Sequence, residues 1–227
     1  MIALVVGAAG LLAAAPLVRG RMGWVLLSAG LFSALAAMAA GINAEWLAAL
    51  DTWVADWFDT HRSRRRDREA AGIFGYLGRP VHVLVAALVC GTLLSVRARS
   101  VLPVIGVTGA VGVGAAVEHT LKAVIGRTAM TGPLVDCPHS FPSGHVTGAA
   151  ALLGTVAVLL GAGADRTAKT ALAVIVTAGV VFVAGLALYT GAHTCTDVIG
   201  GMLLGGAIVA LGAAGVPSPD RGAPGAT

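Results

Sequence analysis

Charged residues are scarce in this chain of 227 residues: Asp, Glu, Lys and Arg together make up 11% of it, and aromatic residues make up 5%. A soluble globular chain is about 25% charged. Here 57% of the residues are hydrophobic and the mean hydropathy is +0.87. This composition excludes an ordinary soluble domain and predicts an all-α, polytopic helical membrane protein.

Two further shortages exclude other classes. The net charge is +4, but the basic residues form no stripe with interleaved aromatic residues, which argues against a nucleic-acid partner. The three cysteines, Cys90, Cys137 and Cys195, form no C-x-x-C pair, so neither a zinc nor a dithiol redox motif is indicated. Because the sequence also has no carboxylate cluster or Cys/His set suited to a metal, we expect no metal and no other cofactor.

Apolar runs bounded by Arg, Lys, Gly or Pro predict the transmembrane helices. These runs lie near residues 2–18, 23–42, 80–96, 101–121, 144–163, 170–190 and 197–215. The first is short, contains Pro16 and is similar to a signal-peptide core. It has no preceding positive charge and a second apolar run follows at once, so we interpret it as an extra N-terminal helix beside a core of six spans.

Residues 43–72 separate the second and third apolar runs, and they predict one amphipathic helix lying in the membrane interface. Its apolar face is formed by Trp46, Leu47, Leu50, Trp53, Val54 and Trp57. We interpret the basic run 61–69 as a solvated face rather than a headgroup site. The predicted organisation is N-terminal helices over 1–43, a membrane domain over 44–215 and a disordered tail over 216–227.

Polar residues gather in three segments, and ionisable groups near a membrane span are candidates for function. EHTLKAVIGR (118–127) ends one span, DCPHSFPSGH (136–145) opens the next, and YTGAHTCTD (189–197) joins the last two. If the spans alternate in direction, all three segments lie on one side of the membrane. The sequence therefore predicts one shared site.

The residue types in these segments suit phosphoryl transfer. His193 and Asp197 are spaced i, i+4, so the carboxylate can hold one imidazole nitrogen and leave the other as a nucleophile. Ser143 and Gly144 open a helix, where backbone N–H groups and the helix dipole favour an anion. Lys122 adds a positive charge and His145 is a candidate general acid. Together they indicate a phosphohistidine mechanism.

At these residues the sequence resembles the type 2 phosphatidic acid phosphatase family, the lipid phosphate phosphatases related to vanadium haloperoxidases. The family pattern is K-x6-R-P, then P-S-G-H, then S-R-x5-H-x3-D, on a six-helix core. Lys122 matches the first motif, residues 142–145 match the second, and His193 and Asp197 match the end of the third. The resemblance extends over roughly residues 44–212.

The resemblance implies a role for each matching residue. His193 is the expected nucleophile, Asp197 its orienting partner and His145 the acid for the leaving oxygen. Lys122, Ser143 and the Gly144 amide are expected to hold phosphate oxygens.

Both arginines of the family pattern are absent. Ala129 and Met130 stand in place of Arg-Pro, and Leu186 and Ala187 in place of Ser-Arg. Arg127 is the leading candidate to bind phosphate in their place, and His119 and His139 are alternatives.

Two functions therefore stay open. The first is an integral-membrane phosphatase that hydrolyses a lipid phosphate or diphosphate, of polyprenyl or diacylglycerol type, without a metal. The second is a weakened homologue that binds or transports such a phospholipid or polyprenyl phosphate; a haloperoxidase ranks third, because its vanadate site needs the absent arginines. The expected partners are a lipid phosphate substrate and membrane lipids.

The positive-inside rule favours an extracytoplasmic site in the cell membrane. That orientation leaves these basic residues in the cytoplasm: Arg19, Arg21, Arg97, Arg99, Arg166, Lys169 and Arg221. The basic run 61–69 then lies outside, against the rule. On an oxidising face, Cys137 and Cys195 are candidates for a disulfide between the second and third polar segments.

Overall fold

The fold is a bundle of helices, described here from a computed structural model for residues 2–18, 20–125 and 140–216. Within these ranges the chain forms nine α-helices and no strand. The helices are α1 Ile2–Ala14, α2 Arg21–Ala40, α3 Glu45–His61, α4 Arg64–Leu77, α5 Pro80–Ala98, α6 Leu102–Ile125, α7 Gly144–Gly161, α8 Arg166–Tyr189 and α9 Cys195–Gly215. A short 3-10 helix, Ala15–Leu17, follows α1.

Six of these helices are long and apolar enough to cross a membrane: α2, α5, α6, α7, α8 and α9. Their bounds agree with the predicted apolar runs to within a few residues, so the six-span core is confirmed. The extra N-terminal run forms α1, a shorter apolar helix that packs on α2. The protein is therefore an all-helical integral membrane protein. The tail predicted after residue 216 lies outside the described residues.

The interfacial segment differs from the prediction, because residues 43–72 form parts of two helices rather than one. The chain is extended at Arg62, and Ser63 then caps α4 by accepting a hydrogen bond from the Arg66 N–H at 3.4 Å. Serine competes with the helix for backbone hydrogen bonds and is favoured at an N-cap, which accounts for the break. The break lets α4 turn back over the ends of the bundle.

The predicted apolar face of α3 also divides into two stripes. Leu47 is buried against the bundle, whereas Trp46, Trp53 and Trp57 on the adjacent stripe are exposed. Exposed tryptophans at the end of a transmembrane bundle are typical of the membrane interface, where an apolar ring with a polar N–H is favoured. The exposed tryptophans therefore support the interfacial position predicted for α3, and the buried Leu47 side chain packs the helix against the protein.

The last helix, α9, lies at the centre of the bundle and packs on α2 and α7. It approaches α7 closely because glycines face that helix. A Cβ added at Gly205 would lie 2.5 Å from the Ala150 Cβ, and one added at Gly201 would lie 2.7 Å from the Ser143 carbonyl oxygen. Small residues at such contacts let membrane helices pack backbone to backbone. This packing brings the start of α7 against the start of α9.

Candidate active site

The His193–Asp197 pair lies where the short turn between α8 and α9 enters α9. The His193 Nδ1 is 3.5 Å from the Asp197 Oδ2, and the side chains are 10% and 0% exposed. This separation is at the outer limit of a hydrogen bond, but it is within ion-pair distance. Nδ1 faces the carboxylate, which leaves Nε2 as the nitrogen available to a substrate.

Hydrogen bonds hold both the side chain and the backbone of Asp197. Its Oδ1 accepts from the Ser140 hydroxyl at 3.3 Å and its Oδ2 accepts from the Thr194 N–H at 3.0 Å. The Thr194 hydroxyl accepts in turn from the Asp197 N–H at 3.3 Å, which completes a capping box at the start of α9. The carboxylate is therefore fixed by the same bonds that begin the helix.

The P-S-G-H turn is joined directly to this pair, because the Ser143 N–H donates to the Asp197 carbonyl oxygen at 2.9 Å. The Ser143 side chain is fully buried, and its hydroxyl has no hydrogen-bond partner among the described residues. Burying an unpaired hydroxyl is costly. A hydroxyl in this state, next to an imidazole and a helix N-terminus, is suited to a polar ligand.

Lys122 reaches the start of α7 through Glu118. The lysine Nζ forms an ion pair with the buried Glu118 carboxylate one turn earlier on α6. A Cβ added at Gly144 would lie 2.8 Å from the Glu118 Oε1. A larger residue at position 144 would push the Glu118 carboxylate away, so the glycine lets the ion pair lie against the N-terminus of α7.

His145, in the first turn of α7, faces the same region. Its ring stacks on the Phe74 ring of α4, with centroids 4.0 Å apart and planes 10° apart. The His145 and His193 ring centroids are 6.1 Å apart. Phe74 therefore fixes the plane of His145, and the two imidazoles lie edge to face at the same end of the bundle.

Gly78, the C-cap of α4, packs against the edge of the His145 ring, and a Cβ there would overlap that ring. We expect Gly78→Ala to displace His145 and to lower kcat by roughly ten- to a hundredfold, since small misplacements of a catalytic group have effects of this size. The measurement is kcat for phosphate release by folded protein. Gly75→Ala on the same helix is the control, because a Cβ there meets nothing within 4 Å. Equal kcat in the two variants would contradict this role.

The residues near the site that the sequence did not indicate include Phe74, Gly78 and Asp51. Asp51 of α3 is buried against the first turn of α9. Its signal in the sequence was a carboxylate four residues after Leu47, on the apolar side of an amphipathic helix. Phe74 and Gly78 gave no such signal, because they reach the site only when α4 folds back.

Arg62 departs from the solvated face predicted for residues 61–69. Its side chain is partly buried and its Nη2 pairs with the Asp59 Oδ1 at 3.0 Å. A Cβ at Gly191 would lie 3.3 Å from that Nη2, so the guanidinium lies against the turn that carries His193. Neighbouring Arg65, by contrast, is largely exposed, as predicted.

Several predicted features lie outside the described residues: Arg127, Ala129, Met130, Cys137 and His139. Cys195 is a free thiol within the described part of the chain, and its predicted disulfide with Cys137 stays a prediction because Cys137 lies outside that part. His119 lies on the exposed side of α6 and bonds to the Ala115 carbonyl oxygen at 3.0 Å. Across the described parts of the chain, no three His, Cys, Asp or Glu side chains are grouped so as to hold a metal ion.

Within the described residues, the structure defines a class of protein: a polytopic membrane protein whose six apolar spans carry a cluster of polar side chains at one end, with a buried histidine–carboxylate pair, a second imidazole and a buried serine hydroxyl. The family model of the PAP2 superfamily matches residues 80–218. The chain therefore belongs to the PAP2 superfamily, and the resemblance seen in the motifs is confirmed.

A solved structure agrees with this membership. The chain is similar to the first transmembrane PAP2 type phosphatidylglycerolphosphate phosphatase from Bacillus subtilis, with a TM-score of 0.72 and 24% sequence identity. The match covers 82% of this chain and 93% of that one. No curated protein sequence matches. The structural match supports the transmembrane PAP2 fold.

Proposed function

We propose that this protein is a phosphatase that hydrolyses a lipid phosphate or diphosphate within the membrane, through a phosphohistidine at His193 and without a metal. The proposal is supported by membership of the PAP2 superfamily and by the structural likeness to a PAP2 phosphatase. The observation that carries it is the arrangement of His193 between buried Asp197 and the facing ring of His145.

In the first step, the His193 Nε2 attacks phosphorus and the bond from phosphorus to the lipid oxygen breaks. His145 donates a proton to that oxygen, so the lipid leaves as an alcohol, or as a monophosphate when the substrate is a diphosphate. Asp197 stabilises the positive charge that develops on the His193 ring. The ring separation of 6.1 Å is one that a phosphoryl group and its leaving oxygen can bridge.

In the second step, water attacks the phosphorus of the phosphohistidine. His145, now neutral, accepts the proton of the water, the bond from phosphorus to Nε2 breaks, and inorganic phosphate leaves. One residue serves as acid and then as base, as the reversal of direction requires. His193 and His145 return to their starting states.

The phosphate oxygens have several candidate partners. The Ser143 hydroxyl, the Gly144 N–H and Lys122 lie around the start of α7. Arg127 remains a candidate to supply a guanidinium, and Arg62 is a second one because its guanidinium lies against Gly191. Arginine grips two phosphate oxygens at once, which a lysine does not.

A binding or transport protein for the same lipids is the second candidate. It is favoured by the absence of the second family arginine. Ala187 stands at that position, is fully buried and packs in an apolar cluster with Phe74 and Val198. No guanidinium comes from that position. The retained nucleophile, orienting carboxylate and acid favour the phosphatase, since binding alone needs none of them.

We propose an extracytoplasmic site in the cell membrane. The site lies at the bundle end shared by α3 and α4, whereas Arg97, Arg99 and Arg166 lie at the opposite end. Basic residues favour the cytoplasmic side. The headgroup-facing position of the site suits a substrate whose chains stay in the bilayer.

Phosphate release by purified protein in EDTA tests the function. The substrates are phosphatidic acid, phosphatidylglycerolphosphate and a polyprenyl diphosphate, with a soluble sugar phosphate for comparison. We expect release from at least one lipid, none from the sugar phosphate, and no stimulation by Mg²⁺. Binding of these lipids without release would favour the second candidate, and activity only with added Mg²⁺ would contradict the metal-free mechanism.

A further inference from the structure

Asp51 is a buried carboxylate on a helix that otherwise faces the membrane interface. It is 2% exposed, whereas Trp53 and Asp56 on the same helix are exposed. A carboxylate is buried at acceptable cost only where hydrogen bonds replace water. Apolar contacts such as that of Leu47 are enough to dock an amphipathic helix, so docking alone gives no reason to bury a charge.

Both oxygens of the Asp51 carboxylate accept hydrogen bonds from one residue in the first turn of α9. The Asp51 Oδ1 accepts from the Thr196 N–H at 2.8 Å, and its Oδ2 accepts from the Thr196 hydroxyl at 2.7 Å. The N–H groups of a first helical turn have no partner within the helix, and the helix dipole favours a negative charge there. Asp51 therefore holds α9 by both its backbone and a side chain.

Thr196 connects this clamp to the reacting groups. Its hydroxyl lies 3.1 Å from the Thr194 hydroxyl, which also accepts from the Asp197 N–H. The Thr194 N–H donates to the Asp197 Oδ2, the oxygen that faces the His193 Nδ1. A set of hydrogen bonds thus runs from α3 to the Asp197 carboxylate, whose Oδ2 lies 3.5 Å from the His193 Nδ1.

The far end of α3 contacts the same turn on the other side of the histidine. Arg62 lies against Gly191, and the Ser63 N–H donates to the Tyr189 hydroxyl at 3.2 Å. The turn that carries His193 is therefore held on both sides of the histidine. Arg62 and Ser63, which follow α3, contact the residues before it, and Asp51 of α3 bonds to Thr196 after it.

We propose that Asp51 is a positioning residue of this site: its carboxylate fixes the first turn of α9 and thereby the geometry of the His193–Asp197 pair. The inference rests on the proposed function and adds a residue from outside the three matched motifs. Asp51 touches no substrate. Its effect is on the approach of the nucleophile, so its loss lowers kcat and leaves KM unchanged.

The test compares Asp51→Asn with Asp56→Asn, an exposed carboxylate on the same helix. Asparagine replaces one of the two acceptor oxygens by an N–H donor and removes the negative charge at the start of α9, so the two bonds to Thr196 are not both preserved as they stand. We expect Asp51→Asn to lower kcat by roughly ten- to a hundredfold, the usual effect of misplacing a catalytic group, with KM within twofold of the parent. Asp56→Asn should match the parent in both constants.

A reciprocal pair of substitutions separates positioning from simple stability. Thr196→Val keeps the shape of the side chain and removes the hydroxyl that donates to Asp51, whereas Thr196→Ser keeps that hydroxyl. The kcat of the serine variant should therefore be higher than that of the valine variant. Combining Thr196→Val with Asp51→Asn should cost less than the product of the two single losses, because both remove the same contact.

The ¹⁵N resonances of the His193 imidazole, assigned with His193→Ala, give a readout that needs no turnover. They should move in Asp51→Asn and stay in place in Asp56→Asn. Unchanged resonances and unchanged kcat in folded Asp51→Asn would overturn the positioning role, as would a kcat loss that follows the unfolded fraction. If the parent releases no phosphate from any lipid, the proposed function fails, and the resonances alone decide the role of Asp51.

Discussion

His193→Ala is expected to abolish phosphate release from the lipid substrate, with a loss of kcat on the order of 10³-fold or more, because the variant has no group to receive the phosphoryl. The reason lies in the position of the ring, with Nδ1 against buried Asp197 and Nε2 directed to the space before His145. The measurement is inorganic phosphate released per folded protein.

His61→Ala is the matched control, because His61 is an exposed histidine on α3 that bonds to the Trp57 carbonyl oxygen of its own helix. It should release phosphate at the parental rate. Circular dichroism and thermal melting should show that both variants are folded. Equal activity in His193→Ala and the parent would mean that another group is the nucleophile.

His145→Ala is expected to lower kcat for a lipid phosphate by roughly 10²- to 10⁴-fold, the usual contribution of a general acid and base. The alkoxide of a lipid alcohol is a poor leaving group and needs the proton. An aryl phosphate with a strongly acidic phenol leaves without one, so its first step should be much less affected.

The comparison of the two substrates identifies the role of His145. Under single-turnover conditions, the variant should release the phenol from an aryl phosphate at nearly the parental rate while releasing the lipid alcohol slowly. Equal losses on both substrates would indicate that His145 binds phosphate or supports structure, and would exclude the acid role.

The spans and the convergence of the motifs were predictable from the sequence. Apolar runs of about 20 residues fix six helices by length alone, because a bilayer sets that length. Alternation of their direction then brings the end of α6, the start of α7 and the turn between α8 and α9 to one side. The structure confirms the six-span core and joins Ser143 to Asp197 by a backbone hydrogen bond.

The environment of the site was not predictable in the same way. The i, i+4 spacing of His193 and Asp197 is local, and so is the capping box at Thr194, whereas the stacking of Phe74 on His145 depends on the break at Ser63. That break depends on local hydrogen bonds such as the cap at Ser63, and the hydrophobic periodicity of the sequence does not reveal it. Tertiary packing also separates the tryptophans of α3 from its buried side chains.

The structural roles of individual glycines were also not predictable from the sequence. A sequence with 32 glycines does not reveal which of them are required by close contacts. The structure distinguishes Gly78 and Gly144, against His145 and Glu118, from Gly75, which has open space around its Cβ direction. The residues that shape the site therefore include several without chemistry of their own.

The most direct test of the phosphohistidine mechanism is to trap the intermediate. Folded His145→Ala is mixed with a ³²P-labelled aryl phosphate, since the first step proceeds and the attack of water is slowed, and the reaction is stopped in alkali, where phosphohistidine is stable. We expect close to one label per protein molecule, on His193, with none in the His145→Ala/His193→Ala double variant. Phenol release without any label on the protein, or label on another residue, would contradict the account.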